Sequence, residues 1–190
     1  PVTIDTTAPN APAATLASVS DSGTLGDNTT SDATPTISGA GATPGDTITL
    51  YAPNGTTVLG TAVVAANGSW AITPTTALTD GVQNLQVTAT DPQGNASTPT
   101  ALPITIDTAA PAAPAATLNA SSDSSTQGDK LTNDTTPTLS GTGTAGDTIT
   151  VKDAAGNVIA TTTVAPDGTW SATPTSALPQ GLNNLAVTST

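Results

Sequence analysis

The chain consists of two copies of one unit of about 100 residues, and this repeat constrains the fold more than any other feature. The segment Asp5–Pro9, DTTAP, returns as Asp107–Pro111, DTAAP, at an offset of 107 − 5 = 102 residues. The longer block Ser20–Gly39 returns at the same offset as Ser122–Gly141. Copies of this length are typical of a tandem array of domains and not of a solenoid of short repeats. An array favours reach or multivalency over a single active site.

The charge of the chain excludes several classes of partner. All 14 acidic residues are Asp, only Lys130 and Lys152 are basic, and the formal net charge is −12. Such a chain repels nucleic acid and anionic membranes. No apolar run approaches the roughly 18 residues of a membrane span. We therefore expect an array that binds neither nucleic acid nor the membrane interior.

The residue types present also argue against an enzyme. His and Cys are absent, so the chain has no imidazole base, no thiolate nucleophile and no zinc ligand of either type. Pairs of Asp could act as acid and base on a glycoside, but such sites need aromatic platforms for the sugar. The only aromatic residues are Tyr51, Trp70 and Trp170, and the two Trp, which are repeat equivalents, are predicted to anchor the core of each unit.

Short alternating segments between turn residues predict an all-β fold of tandem immunoglobulin-like sandwiches. Leu85, Val87 and Ala89 are predicted to face the core, because every second residue of a strand lies on the same side. Asn67-Gly68 and Asp167-Gly168 indicate hairpin turns. The strands predicted in the first unit are Ala14–Val19, Thr34–Ser38, Asp46–Tyr51, Val58–Ala65, Ser69–Thr73, Gln83–Thr90 and Pro103–Ile106.

The repeat predicts the domain boundaries. Residues 1–7 are expected to be the end of a preceding repeat and its linker, 8–107 the first repeat, 108–114 a proline-rich linker and 115–190 a second repeat that lacks its last strand. The second repeat should then expose a strand edge along Leu182–Thr190. We expect a monomer, with an alternative in which Val2–Asp5, a copy of Ile104–Asp107, completes that edge in another molecule and forms head-to-tail chains.

Carboxylates cluster in loops at the two ends of each unit. Oxygen donors without nitrogen or sulfur ligands favour Ca2+ over a transition metal. The alternative is that these Asp residues cap turns through their own backbone, and this alternative is favoured for Asp32, Asp80, Asp134, Asp153 and Asp167. The residues that we expect to bind Ca2+ from their position alone are Asp5, Asp107, Asp21 and Asp27, followed by Asp46 and Asp147.

Four motifs together resemble the bacterial Ig-like tandem repeats of giant type I-secreted and biofilm-associated adhesins of the RTX type. They are DTTAP at 5–9, SDSGTLGDNTTSDATPTISGAGATPGDTITLY at 20–51, GSWAITPTTALTDG at 68–81 and VTATDPQGNAS at 87–97. The resemblance implies an extracellular spacer of the bacterial cell surface that holds a distal ligand-binding domain away from the cell during adhesion and biofilm formation. It also implies Ca2+ at the domain junctions, and it adds Asp91, Asp123 and Asp129 to the expected ligands.

Two departures from the repeat concern the second unit. Ser125 replaces Gly23, and Lys130 replaces Asn28, which places a cation beside Asp129 and argues against full metal loading there. Two alternative functions stay open at this point. The repeats could themselves bind a host glycan or protein, or they could associate with identical repeats on neighbouring cells.

Overall fold

A computed structural model describes residues 2–190, and the chain divides into two compact units between Ala109 and Ala110. Within the described residues every regular element is a β-strand, which confirms the predicted all-β class. The same residues contain no helix that is long and apolar enough to cross a membrane.

The first unit is a sandwich of two sheets. A three-stranded sheet has the order β1-β3-β6, and a five-stranded sheet has the order β2-β8-β7-β4-β5. All neighbouring strands are antiparallel except β2 and β8, which run parallel. The strands are β1 (Thr15–Leu16), β2 (Thr29–Thr30), β3 (Ile37–Gly39), β4 (Thr47–Tyr51), β5 (Val58–Val63), β6 (Trp70–Ile72), β7 (Gly81–Thr90) and β8 (Thr100–Ile106).

The core of the first unit lies between these sheets. Leu85, Val87 and Ala89 of β7 are buried, as their alternation predicts, whereas the residues between them are partly exposed. Trp70 and Ile37, which both belong to the three-stranded sheet, are buried in the same cluster. The predicted role of Trp70 in the core is therefore confirmed. Since apolar burial is the main stabilising term in folding, these positions hold the two sheets together.

The turn at Asn67-Gly68 forms, but it does not join two paired strands. Gly68 N–H donates to the Ala65 carbonyl at 2.8 Å, and the Asn67 side chain accepts from Ser69 N–H at 3.1 Å. The strands on either side, β5 and β6, belong to different sheets. The hairpin prediction was wrong here, because a tight turn redirects the chain locally and does not decide which strand becomes the partner.

The second unit repeats much of this arrangement. Its sheets have the orders β13-β10-β9 and β12-β11-β14, and Trp170 is buried in its core. Within residues 2–190, β14 pairs with β11 alone, and Leu182 is 91% exposed. The strands are β9 (Ala115–Leu118), β10 (Leu139–Thr142), β11 (Thr148–Lys152), β12 (Val158–Thr163), β13 (Thr169–Ala172) and β14 (Ala186–Ser189).

Candidate metal site

Three of the predicted ligands line one depression at an end of the first unit. Asp46 immediately precedes β4 and Asp91 immediately follows β7. Because Thr47 and Thr90 are paired in the antiparallel ladder between these strands, the two Asp residues lie at the same sheet end. Asp5 lines the same depression, and its carbonyl accepts a hydrogen bond from the Asn95 side chain at 3.2 Å. The fold therefore brings together residues that are up to 86 positions apart (91 − 5 = 86).

Asp46 is the unusual member of this group. The residue is only 3% exposed, and its Oδ2 is buried without a hydrogen-bond partner in the described part of the chain. Burial raises the pKa of its carboxyl group above the ordinary value of 3.8, and the negative charge of Asp91 raises it further. A buried carboxylate oxygen without a hydrogen-bond donor costs free energy. Asp46 therefore destabilises the folded unit unless a cation or a proton binds to this oxygen.

Asp91 is held in the opposite way. Its Oδ2 accepts from the Asn95 side-chain amide at 2.8 Å, and its Oδ1 accepts from Gln93 N–H at 2.9 Å and Asn95 N–H at 2.8 Å. The Asn95 side-chain hydrogen bond is the main reason that the pKa of Asp91 lies below its ordinary value. Asp91 therefore stays ionised beside Asp46, and each carboxylate oxygen can still offer a lone pair to a hard cation.

The donor set fits Ca2+ in its chemistry, although the carboxylates are not gathered around one point. Across residues 2–190, no group of three or more His, Cys, Asp or Glu side chains is close enough to hold a metal ion. The Asp5 carboxylate is exposed and accepts from Thr7 N–H at 3.0 Å. Asp46, Asp91 and the Asp5 segment are the groups that could hold a cation here, with backbone carbonyls completing its oxygen shell.

The equivalent Asp of the second unit has a hydrogen-bond partner that Asp46 lacks within the described residues. Asp147 precedes β11 as Asp46 precedes β4, but its Oδ2 accepts a hydrogen bond from the Ser189 hydroxyl at 2.8 Å. In the first unit this position of the neighbouring strand is Ala89, which has no hydroxyl to offer. The absence of that hydroxyl explains why the Asp46 oxygen is left without a partner.

The predicted ligands in the long loops cap turns in the structure. Asp21 Oδ2 accepts from Gly26 N–H at 2.6 Å, and Asp27 Oδ1 accepts from Thr29 N–H at 2.8 Å. Each has its copy in the second unit, where Asp123 accepts from Gly128 N–H and Asp129 from Leu131 N–H. The Oδ1 atoms of Asp21 and Asp123 are buried and find no hydrogen-bond partner within residues 2–190.

The remaining predicted ligand, Asp107, lies at the other end of the first unit. Its N–H donates to the Thr30 carbonyl at 2.9 Å, and its Oδ1 accepts from Ala109 N–H at 3.1 Å. Asp80, which we expected to be a turn residue and not a calcium ligand, accepts from both the N–H and the hydroxyl of Thr108. Asp80 therefore ties the residues after β8 to the first unit.

A buried polar cluster is the feature that the sequence analysis missed. The Thr30 hydroxyl donates to the Ser20 carbonyl and accepts from Asp32 N–H, and the Ser20 hydroxyl donates to Asp32 Oδ2. Thr30 is fully buried. The identical recurrence of Ser20, Thr30 and Asp32 as Ser122, Thr132 and Asp134 was the available signal, since neighbouring loop positions changed.

The comparison with protein families agrees with the immunoglobulin-like fold. The family model described as bacterial Ig-like domain matches residues 7–108 and again 110–190. Among solved structures, a bacterial 1.5-MDa ice-binding adhesin is 29% identical over 86% of this chain and 54% of its own, with a TM-score of 0.41. A tetra-tandem repeat from the extending region of a large adhesion protein is 25% identical over 98% and 50%, with a TM-score of 0.38.

A third structure, the BSP domain of a biofilm associated protein, is 23% identical over 85% of this chain and 25% of its own, with a TM-score of 0.33. This chain thus spans between a quarter and about half of the length of these structures. The comparison with curated proteins gave no match. Because the family model covers nearly all of the sequence in two consecutive matches, the chain belongs to the bacterial Ig-like domain family.

Proposed function

We propose that this chain is a pair of non-enzymatic extender repeats from a bacterial cell-surface adhesin, stiffened by Ca2+ at the ends of its units. The observation that carries the proposal is the buried, unpartnered Oδ2 of Asp46 beside the ionised Asp91. In this role the repeats lie outside the cell and hold a distal ligand-binding domain away from its surface.

The geometry of the first unit suits a spacer. The Asp5 segment lies near Asp91, just beyond the Thr90 end of β7, whereas Asp107 follows Ile106, which pairs with Gly81 at the start of that strand. At about 3.3 Å per residue, the ten residues of β7 span roughly 33 Å. The chain therefore enters the unit at one end and leaves it at the other, so copies joined in series add length.

Calcium would act on the electrostatics of the entry end. Without a cation, Asp46 and Asp91 repel each other at short range, where a screening length of about 8 Å at physiological salt offers little relief. A bound Ca2+ turns this repulsion into attraction and ties the Asp5 segment to the adjacent ends of β4 and β7. At a free Ca2+ concentration 100 times the dissociation constant, one such site adds about 2.7 kcal/mol of stability.

Isothermal titration calorimetry, hydrogen exchange and thermal unfolding of the 190-residue chain test this function. We expect saturable Ca2+ binding, slower hydrogen exchange of the backbone around Asp5, and a higher melting temperature of the first unit in millimolar CaCl2 than in EGTA. The matched control is the Asp46→Asn, Asp91→Asn double variant, which should show the same exchange and the same melting temperature in both buffers. A wild-type chain with the same exchange and melting temperature in both buffers, and with no heat of binding, would contradict calcium stiffening.

A further inference from the structure

Strand β8 is held on both sides in the first unit. It lies between β7, with which it is antiparallel over seven residue pairs, and β2, with which it is parallel. On the β2 side, Thr105 N–H donates to the Asn28 carbonyl at 2.8 Å and Asp107 N–H donates to the Thr30 carbonyl at 2.9 Å. The last strand of the unit can therefore leave only if both ladders break.

Tension applied between the two ends of the unit runs along β8. The chain enters the unit beside Asp91 and leaves it after Ile106, so a pull on the residues after Ile106 is directed along the axis of β8. Inter-strand hydrogen bonds in the antiparallel ladder are perpendicular to the strands, and a load along the strands shears all of them together. A load perpendicular to the strands would break them one pair after another.

The buried polar cluster fixes β2 in position for this contact. Thr30 belongs to β2 and is bound on one side of its hydroxyl to the Ser20 carbonyl and on the other to Asp32 N–H. The corresponding bonds of Thr132 with Ser122 and Asp134 form in the second unit. Within the described residues of that unit no strand pairs with residues 131–132. The cluster therefore forms without a paired strand, which shows that it does not depend on the pairing with β8.

We propose that β2, β8 and β7 form a shear clamp that gives the first unit its resistance to tension, with Thr30 as the residue that positions β2. The biological load is that of an adhesin spacer, so this use of the clamp rests on the proposed function. The mechanical property rests on the strand geometry alone and is tested in EGTA, where calcium has no part.

Optical-tweezers unfolding of the 190-residue chain in two pulling directions tests the clamp. The sequence has no Cys, so pairs of introduced cysteines define the direction. Handles on A8C and A112C, both exposed, pull the first unit along its strands. Handles on V82C and T105C, which are paired residues of β7 and β8, pull these strands apart. Because peeling loads one pair at a time, we expect a roughly severalfold lower unfolding force in the second direction.

A matched pair of variants separates the clamp from general stability. Thr30→Val keeps the side-chain shape but removes both hydroxyl hydrogen bonds. Leu59→Val or Leu59→Ala, chosen to give the same loss in melting temperature, weakens the core at β5, on the sheet edge farthest from β2. We expect Thr30→Val to lower the force along the strands clearly more than the Leu59 variant does.

Two results would overturn the clamp. One is an equal unfolding force in the two pulling directions, a comparison that does not depend on Thr30→Val folding. The other is an equal loss of force in the Thr30 and Leu59 variants. Neither result depends on calcium binding. If calcium proves not to stiffen the chain, the unfolding force in EGTA can still depend on the pulling direction. The two proposals can therefore be refuted independently.

Discussion

Replacing Asp46 with Asn is expected to stabilise the first unit in EGTA and to remove most of its stabilisation by Ca2+. Asn keeps the shape of the side chain but has no charge, so the repulsion from Asp91 disappears. Its amide can also donate a hydrogen bond, which a carboxylate cannot do. The same change removes a hard anionic ligand from the site and should therefore weaken calcium binding.

The magnitude follows from the buried oxygen. A buried polar atom without a partner costs about 1–3 kcal/mol, and Asp46 Oδ2 is such an atom. Asn recovers only part of this cost, because its own amide must also find partners, so we expect a gain near 1 kcal/mol. For a domain of this size that gain raises the melting temperature by roughly 4–8 °C.

The pH dependence of stability provides a second, independent test of the buried Asp46 carboxylate. The pKa of Asp46 is higher in the folded protein than its ordinary value of 3.8, so the folded state binds this proton more tightly than the unfolded state. The contribution of Asp46 to stability should therefore decrease as pH rises from about 3.8 through the raised pKa of the folded state, and then level off. Asp46→Asn lacks this component, and its advantage over the wild type should grow across that window.

The assay is thermal unfolding followed by the fluorescence of Trp70, with Trp170 replaced by Phe in every sample. Wild type, Asp46→Asn and the control Asp167→Asn are compared in EGTA and in CaCl2. Asp167 is a turn residue whose repeat equivalent is already Asn67, so its variant should behave as the wild type. An Asp46→Asn protein that is less stable in EGTA and still shows the full calcium shift would refute both the cost of the buried charge and its role in binding.

Three further predictions concern other parts of the chain. Asn67→Asp should leave the free energy of unfolding within about 0.5 kcal/mol of wild type, because Asp167 makes the same turn hydrogen bonds; urea denaturation checks this. Gly39→Ala should destabilise the first unit by about 3 kcal/mol, since its Cβ would overlap the Ala13 backbone carbonyl and lie 2.7 Å from the Trp70 ring; the unfolding midpoint would show it, and an unchanged midpoint would contradict it. Ile4, which is 83% exposed, belongs to the segment Val2–Asp5 that could complete the strand edge of another molecule. We expect this head-to-tail association only near millimolar concentration, and Ile4→Asp should abolish any dimer seen by analytical ultracentrifugation.

Most strands could be predicted from the sequence, and β2 could not. The alternation of Leu85, Val87 and Ala89 predicts a half-buried strand because burial on one side imposes a period of two. Strand β2 consists of only Thr29 and Thr30, within a loop rich in Asp, Asn and Ser, where no period can show. Its strand conformation comes from pairing with β8, about 75 residues later, which local sequence does not encode (105 − 29 = 76).

The candidate site was likewise only partly predictable. Asp5 and Asp46 were expected ligands from their positions, and Asp91 was added by the resemblance to adhesin repeats. The sequence analysis could not distinguish the buried Asp46 oxygen from the hydrogen-bonded one of Asp147, because that difference depends on Ala89 or Ser189 in the neighbouring strand. The loop residues Asp21 and Asp27 have the same composition signal and cap turns in the structure, and the Oδ1 atom of Asp21 is buried without a hydrogen-bond partner in residues 2–190; their role as calcium ligands stays a prediction.

The sequence by itself determined the repeat, the all-β class, the absence of imidazole and thiol chemistry, and the two Trp-centred cores, because these depend on composition and on local period. Tertiary structure alone decided which strands pair, that β8 lies between β2 and β7, and that Asp46 meets Asp91. Those features depend on pairing between distant segments, and inter-strand hydrogen bonds are made by backbone groups that nearly every residue carries. For that reason partner choice is visible only once the two sheets have closed over their common core.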